Sequence, residues 1–112
     1  MTEMGIQTMA GGIQGLVQEL VQRLRPQRIL LFGSYASGSP NAASDLDLLV
    51  VVQETPGWRE AYRLKTELQS QLPVPLQLVF IKEEEFEETK DVVGGLAYPA
   101  SHAGKVLYDK NA

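Results

Sequence analysis

Residues 32–50 read FGSYASGSPNAASDLDLLV, and this stretch indicates both the fold and the chemistry of the chain. Just before it, residues 28–32 form a short apolar run that stops at Gly33, which predicts a buried strand. Residues 34–44 are small and polar and contain glycine and proline, so they predict a loop with one helical turn. Apolar residues then succeed one another up to Val52. This pattern predicts a second strand, from Leu46 to Val52, that is covered on both faces.

Helices are predicted on either side of this stretch. Apolar residues from Ile13 to Leu24 recur at the spacing of an amphipathic helix, and Pro26 ends that segment. Residues 58–72 predict another helix, whose buried stripe is expected to include Tyr62. We expect Trp58 to pack against the protein where this helix begins.

The remaining elements complete an α/β fold of the α+β type. Residues 76–81 predict a third strand, residues 83–88 a short acidic helix with a solvated face, and residues 105–108 a final short strand. We therefore expect a mixed sheet of three to four strands with helices packed on it. Residues 12–112 are expected to form this single domain, after a loose N-terminal leader at residues 1–11.

The composition excludes several classes of protein. A chain of 112 residues fits one domain, and the absence of cysteine excludes disulfide scaffolds, thiolate zinc sites and cysteine nucleophiles. No apolar stretch approaches the roughly 20 residues that cross a bilayer. The N-terminus also lacks the basic region of a signal peptide, so the sequence predicts a cytoplasmic protein. The net charge of −4 and the lack of a basic, aromatic-rich stripe disfavour nucleic acid as a partner.

The chemistry depends on two elements within residues 33–47. Gly33 lets the backbone approach a ligand closely, and the following turn with Ser34 could hold phosphate oxygens, although Gly-Ser after a strand is more often only a turn. Asp45 and Asp47 alternate along a strand, so their side chains share one face, where close like charges favour water or a hard cation such as Mg²⁺. The alternative is that Asp45 and Ser44 cap the loop while Asp47 faces solvent. Both elements in this order favour a metal–nucleotide site.

These motifs resemble the signature of the DNA polymerase β-type nucleotidyltransferase superfamily. That signature is Gly-Ser, a short loop with glycine, and Asp-x-Asp on the next strand, which correspond to Gly33-Ser34, Gly38 and Asp45-Leu46-Asp47. The size, the leading helix and the ending at residues 104–108 are similar to its smallest branch, the minimal nucleotidyltransferases. Members of this branch are often encoded beside a helical partner of the HEPN type. The resemblance covers residues 13–109.

The resemblance implies a nucleotidyltransferase that binds a nucleoside triphosphate, ATP in the first instance, with Mg²⁺. It further implies transfer of AMP to a hydroxyl group on a HEPN-type toxin, which would make this chain an antitoxin. Gly33, Ser34 and Ser44 would bind the nucleotide, and Asp45 and Asp47 would hold two Mg²⁺ ions as the catalytic carboxylates.

The sequence departs from the family pattern at three positions. The third carboxylate of the family corresponds to Gln77, whose amide oxygen is uncharged and cannot act as a base. The metal on the acceptor side is therefore expected to be weakened, and the catalytic triad is incomplete. Many relatives also carry arginine at the positions of Tyr35 and Ser37. The alternative hypothesis is a catalytically degenerate member of the fold that acts as a partner-binding module.

Overall fold

A computed structural model describes residues 2–38, 44–95 and 97–112, with side chains from Gly12 onward. Five helices and four strands lie within these ranges: α1 (Thr2–Leu24), β1 (Arg28–Phe32), α2 (Ser34–Ser37), β2 (Leu46–Val52), α3 (Trp58–Gln69), β3 (Leu76–Lys82), α4 (Glu83–Thr89), α5 (Tyr98–Ala103) and β4 (Lys105–Asp109).

The four strands form one mixed sheet in the order β3-β2-β1-β4. Strand β1 is antiparallel to both β2 and β4, whereas β2 and β3 are parallel. The last residue of β1 and the first residues of the other three strands therefore share one end of the sheet. We call this end, where Gly33 follows β1, the Gly33 end. The expected mixed sheet with packed helices is confirmed.

Strand β2 is at the centre of the core because its alternate side chains enter different apolar layers. Leu48 and Val50 pack with α1 and α3 on one face of the sheet. Leu49 and Val51 pack with α4 and α5 on the other face. All four side chains are almost completely buried, which confirms the prediction that both faces of this strand are covered.

The first helix begins earlier than the apolar stripe predicts. Helix α1 extends from Thr2 to Leu24, so helical backbone occupies most of the predicted loose leader, residues 1–11. The apolar stripe predicts a start at Ile13, and each glycine before it, Gly11 and Gly12, costs about 1 kcal/mol in a helix interior. Helical structure of the surrounding residues outweighs that cost. The division of the chain into a leader and a domain at residue 12 stays a prediction.

Two aromatic side chains of α3 are not buried as the sequence analysis expects. Trp58 is 76% exposed and Tyr62 is 69% exposed. The buried stripe of this helix is formed by Leu64 and Leu68, one turn apart. Tyr62 precedes Leu64 by two residues, or about 200° around the helix, so it lies on the outer surface. The helix also ends at Gln69 rather than at residue 72.

The acidic segment forms a helix with a solvated face, as predicted. Phe86 is the buried residue of α4, whereas Glu84, Glu85, Glu87 and Glu88 are exposed. Among the described residues, no helix combines the length and apolar character needed to span a bilayer.

Candidate functional site

The topology brings the predicted site residues to the Gly33 end of the sheet. Phe32, the last residue of β1, pairs with Asp47 in β2. Asp47 in turn pairs with Gln77 in β3. These three residues form one row across the sheet, and Gly33 continues the chain directly from that row. Residues far apart in sequence are therefore neighbours because of the strand register.

Gly33 places the backbone directly against the carboxylate of Asp47. Its φ of 76° and ψ of −159° belong to a region that is essentially restricted to glycine. A Cβ atom at this position would lie nearer to Asp47 Oδ2 than the 3.0 Å that real Cβ contacts keep. The Gly33 carbonyl accepts hydrogen bonds from the N–H groups of Ala36 and Ser37, at 3.1 and 3.2 Å. This bonding begins the helical turn predicted in the loop.

A hydrogen bond between two serine hydroxyl groups joins the turn after β1 to the segment before β2. Ser34 Oγ donates a hydrogen bond to Ser44 Oγ at 2.8 Å. The bond connects the first residue of α2 to the residue before Asp45, and Ser44 is buried. Residues 39–43, which lie between them, are outside the described ranges. The structure therefore brings together both serines that the resemblance assigns to nucleotide binding.

The two aspartates differ in environment. Asp45 is exposed, whereas Asp47 is partly buried. Within the described ranges, Asp47 Oδ1 is buried without a hydrogen-bond donor. Burial raises the pKa of the Asp47 carboxyl, and the negative charge of Asp45 raises it further. A buried acceptor without a partner is unusual in folded proteins and destabilises the charged form, so this oxygen favours a cation or a further donor beside it.

The β3 side of the site, where Gln77 lies, has little charge. Gln77 is exposed and lies beside Asp47 in the sheet register. In the described part of the chain, no three His, Cys, Asp or Glu side chains are grouped so that they could hold a metal ion. Tyr35, at one of the two positions where the resemblance implies arginine, is buried in the core with 6% exposure, whereas Ser37 at the other is exposed. A cation at position 35 would therefore not fit this packing.

Gln69, which no sequence pattern indicates, fixes the start of β3. Its Nε2 donates to the carbonyl of Val74 at 2.8 Å, and its Oε1 accepts from the N–H of Leu76 at 2.6 Å. The side-chain amide therefore pairs with the open edge of β3 as another strand would. On the other side, the N–H of Leu46 donates to the carbonyl of Pro75 at 2.8 Å. These bonds hold Gln77 at its place beside the aspartates.

His102, on α5, is exposed. Its Nε2 lies 2.8 Å from Asp91 Oδ1, and its ring stacks on Tyr98 with ring centroids 4.2 Å apart. The acidic partner was not predictable because it lies eleven residues away in the chain.

A family model and a named relative both relate this chain to proteins that transfer nucleotidyl groups. Residues 13–97 match the family model described as nucleotidyltransferase domain. A Methanocaldococcus jannaschii protein that carries the name protein adenylyltransferase is 32% identical over 62 residues, which are 55% of this chain and 72% of the relative.

Three solved structures share the fold. A toxin–antitoxin complex with AMP-PNP has a TM-score of 0.64 at 24% identity, over 86% of this chain and 73% of that chain. The MntA–HepT toxin–antitoxin complex has a TM-score of 0.61 at 21% identity, over 89% and 72%. A complex of a tri-AMPylated Shewanella oneidensis HEPN toxin with its MNT antitoxin has a TM-score of 0.53 at 21% identity, over 99% and 75%. At these identities the likeness concerns the fold.

Proposed function

The chain belongs to the nucleotidyltransferase domain family, which confirms the resemblance drawn from its sequence, and on that premise we propose that it binds ATP with Mg²⁺ and transfers AMP to a protein hydroxyl group. The observation that carries this proposal is the contact of the Gly33 backbone with Asp47, whose buried oxygen has no donor within the described ranges. The buried oxygens of a structural aspartate normally accept hydrogen bonds. Among the described residues none donates to Asp47 Oδ1, and the negative charge of Asp45 is close to it.

The residues of the Gly33 end have separate roles in this proposal. Gly33 and Ser34 hold phosphate oxygens, because glycine permits close approach and the backbone N–H groups of this turn can donate. The hydrogen bond from Ser34 to Ser44 fixes the loop ends on both sides of the nucleotide. The pairing of Asp47 with Phe32 and Gln77 keeps its carboxylate at the sheet end, where phosphates can reach it.

The donor set fits one divalent cation shared with the nucleotide. Two carboxylates, Asp45 and Asp47, provide hard oxygen ligands, and Mg²⁺ commonly takes one or two carboxylates together with substrate phosphates. The raised pKa of Asp47 also indicates a carboxylate that a cation would stabilise. A bound Mg²⁺ would supply Lewis-acid polarisation of the phosphate oxygens. A second ion at the acceptor side is not supported, because Gln77 contributes no charge.

Transfer of AMP joins the acceptor oxygen to the α-phosphorus and breaks the bond to pyrophosphate. The hydroxyl proton must leave during this step, and Gln77 cannot accept it because an amide is not a base at neutral pH. Another group, such as solvent or a side chain of the acceptor protein, must therefore accept the proton. We expect slower turnover than in a relative with a carboxylate at this position.

We propose that the acceptor is a HEPN-type toxin and that this chain is its antitoxin. The adenylyltransferase name of the Methanocaldococcus jannaschii relative supports a protein as acceptor. The solved complexes that share the fold contain toxins, one of them an AMPylated HEPN protein. Location in the cytoplasm stays a prediction from the sequence.

A second candidate function is a degenerate, partner-binding member of the family. The observation that favours it is Gln77, which stands beside Asp47 without charge. In that case the chain masks its partner by binding, and nucleotide serves at most as a ligand.

The two candidates are separated by a transfer assay with ATP labelled at the α-phosphate. The purified chain is incubated with a HEPN-type toxin and Mg²⁺, and the mass of the toxin is measured. An added AMP that is lost in Asp45→Asn supports the transferase. No addition by the natural chain, together with addition by Gln77→Asp, supports the degenerate module. No addition by either protein contradicts the proposed transfer.

A further inference from the structure

The outer face of α3 carries a concentration of exposed aromatic and cationic side chains. Trp58 and Tyr62 are the most exposed large aromatic residues in the described ranges. The guanidinium of Arg59 lies over the Trp58 ring, 5.2 Å from its centroid. A shallow groove of about 350 Å³ runs along this face, which we call the α3 groove; it is lined by Trp58, Arg59, Tyr62, Arg63, Thr66 and Glu67.

Nothing in the proposed nucleotide site uses the α3 groove. The groove begins at Trp58, which follows the C-terminal end of β2, whereas the site lies at the N-terminal end of that strand. Tryptophan, tyrosine and arginine are the residues most enriched at the energetic centres of protein interfaces. Their exposure together on one helix face marks an interaction surface.

The order of residues along α3 makes the groove complementary to itself. If two copies of α3 cross antiparallel about a two-fold axis between Tyr62 and Arg63, each Tyr62 ring faces the Arg63 guanidinium of the other copy. The same axis places Arg59 opposite Thr66, and Trp58 opposite Glu67. Aromatic faces attract guanidinium groups, and Arg59 comes within one helical turn of the other copy's Glu67. An isologous contact requires this kind of pairing, in which each interaction occurs twice.

We propose that the α3 groove is the interface of a two-fold symmetric dimer of this chain. Other occupants fit the charges less well. Nucleic acid would be repelled by the groove residue Glu67 and by its exposed neighbour Glu60. An acidic partner would complement the arginines but would oppose the same glutamates. A second copy supplies both signs of charge at matching positions.

The dimer is expected to be weak. A contact made by one twelve-residue helix from each copy buries less than the roughly 1,200 Å² at which standard interfaces begin. Arg23, on α1, donates a hydrogen bond to Glu67 and extends the surface toward the neighbouring helix. We therefore expect association between low micromolar and near-millimolar protein concentration.

Trp58 reports directly on this interface because it is the only tryptophan of the chain. Sedimentation velocity and tryptophan emission are measured together over a concentration series of the full chain without nucleotide. The proposal predicts a shift from monomer mass to dimer mass, accompanied by a blue shift of the emission as Trp58 is buried. The matched pair of variants is Arg63→Glu and Lys65→Glu. Both reverse one exposed charge on α3, but only Arg63 lines the groove.

Arg63→Glu is expected to keep the monomer mass and the red emission at every concentration, whereas Lys65→Glu behaves as the natural chain. Far-UV circular dichroism checks that both variants keep the helix. A natural chain that stays monomeric overturns the proposal, and so does a dimer that persists in Arg63→Glu. An emission shift that requires added RNA or an acidic protein also overturns it and assigns the groove to that partner. The outcome is independent of the transfer assay, because Asp45→Asn is expected to dimerise normally.

Discussion

Replacing Gly33 with alanine tests the contact on which the proposed site rests. The backbone conformation of Gly33 costs a residue with a side chain about 1–3 kcal/mol. The new Cβ would also overlap Asp47 Oδ2, and forced overpacking of this kind costs about 1–3 kcal/mol. The two costs together lower the free energy of unfolding by about 2–6 kcal/mol. A domain stable by about 5–15 kcal/mol mostly remains folded after this loss.

The assay is equilibrium unfolding in urea, with Gly38→Ala as the control. Gly38 also has a positive φ, 78°, but a Cβ there meets nothing within 4 Å. Gly38→Ala is therefore destabilised only by the left-handed backbone conformation, which costs about 1–2 kcal/mol. The overlap term is isolated by repeating Gly33→Ala in an Asp47→Ala background. There the carboxylate is absent, and the cost of the alanine is expected to fall by about 1–3 kcal/mol.

Two results would refute this reasoning. One is a cost of Gly33→Ala no greater than that of Gly38→Ala. The other is an equal cost of Gly33→Ala with and without the Asp47 side chain. Either would mean that Gly33 does not hold the backbone against the carboxylate.

Three further outcomes are expected. Burial and the charge of Asp45 raise the pKa of Asp47, so the protonated carboxyl fits the folded state better than the charged form does. The stability that protonation contributes is complete below the unfolded-state pKa, about 3.9, and is lost as pH rises through the folded-state pKa. Thermal melts should therefore show Asp47→Asn more stable than the natural chain at pH 7, with the difference vanishing near pH 3. Gln69→Ala removes both hydrogen bonds at the edge of β3 and should lower the free energy of urea unfolding by about 1–3 kcal/mol, and an unchanged midpoint would contradict the role given to this side chain. Tyr35→Arg should destabilise the domain by at least about 3 kcal/mol because Tyr35 is in the core, whereas Ser37→Arg, at an exposed position, should fold normally and bind ATP more tightly. Calorimetry that shows a lower melting temperature for Ser37→Arg than for Tyr35→Arg would contradict the packing described.

The strands near the site were predictable because their boundaries are set locally. The apolar run of β1 stops at Gly33, and the run of β2 begins directly after Asp45, so composition alone defines both bounds. The direction of pairing was not predictable, since it depends on which strands meet. The contact between Gly33 and Asp47 follows from the antiparallel register of Phe32 with Asp47 and became visible only in the fold.

The errors on α3 have a different origin. The apolar pattern predicts Tyr62 on the buried stripe, but the angle of about 200° between Tyr62 and Leu64 around the helix puts its side chain on the exposed face. Sequence patterns assume that large aromatic residues are buried, and residues exposed for a partner violate that assumption. The role of Gln69 was not predictable from the sequence because its partners, at Val74 and Leu76, are backbone groups that nearly every residue carries.

The central claim, a Mg²⁺-dependent ATP site at the Gly33 end of the sheet, is tested most directly by calorimetry. ATP is titrated into the natural chain with and without Mg²⁺, and into Asp47→Asn with Mg²⁺. The account predicts binding to the natural chain only when Mg²⁺ is present. It predicts none to Asp47→Asn, although that variant is folded and more stable. Equal binding to Asp47→Asn, or no binding to the natural chain with Mg²⁺, would contradict it.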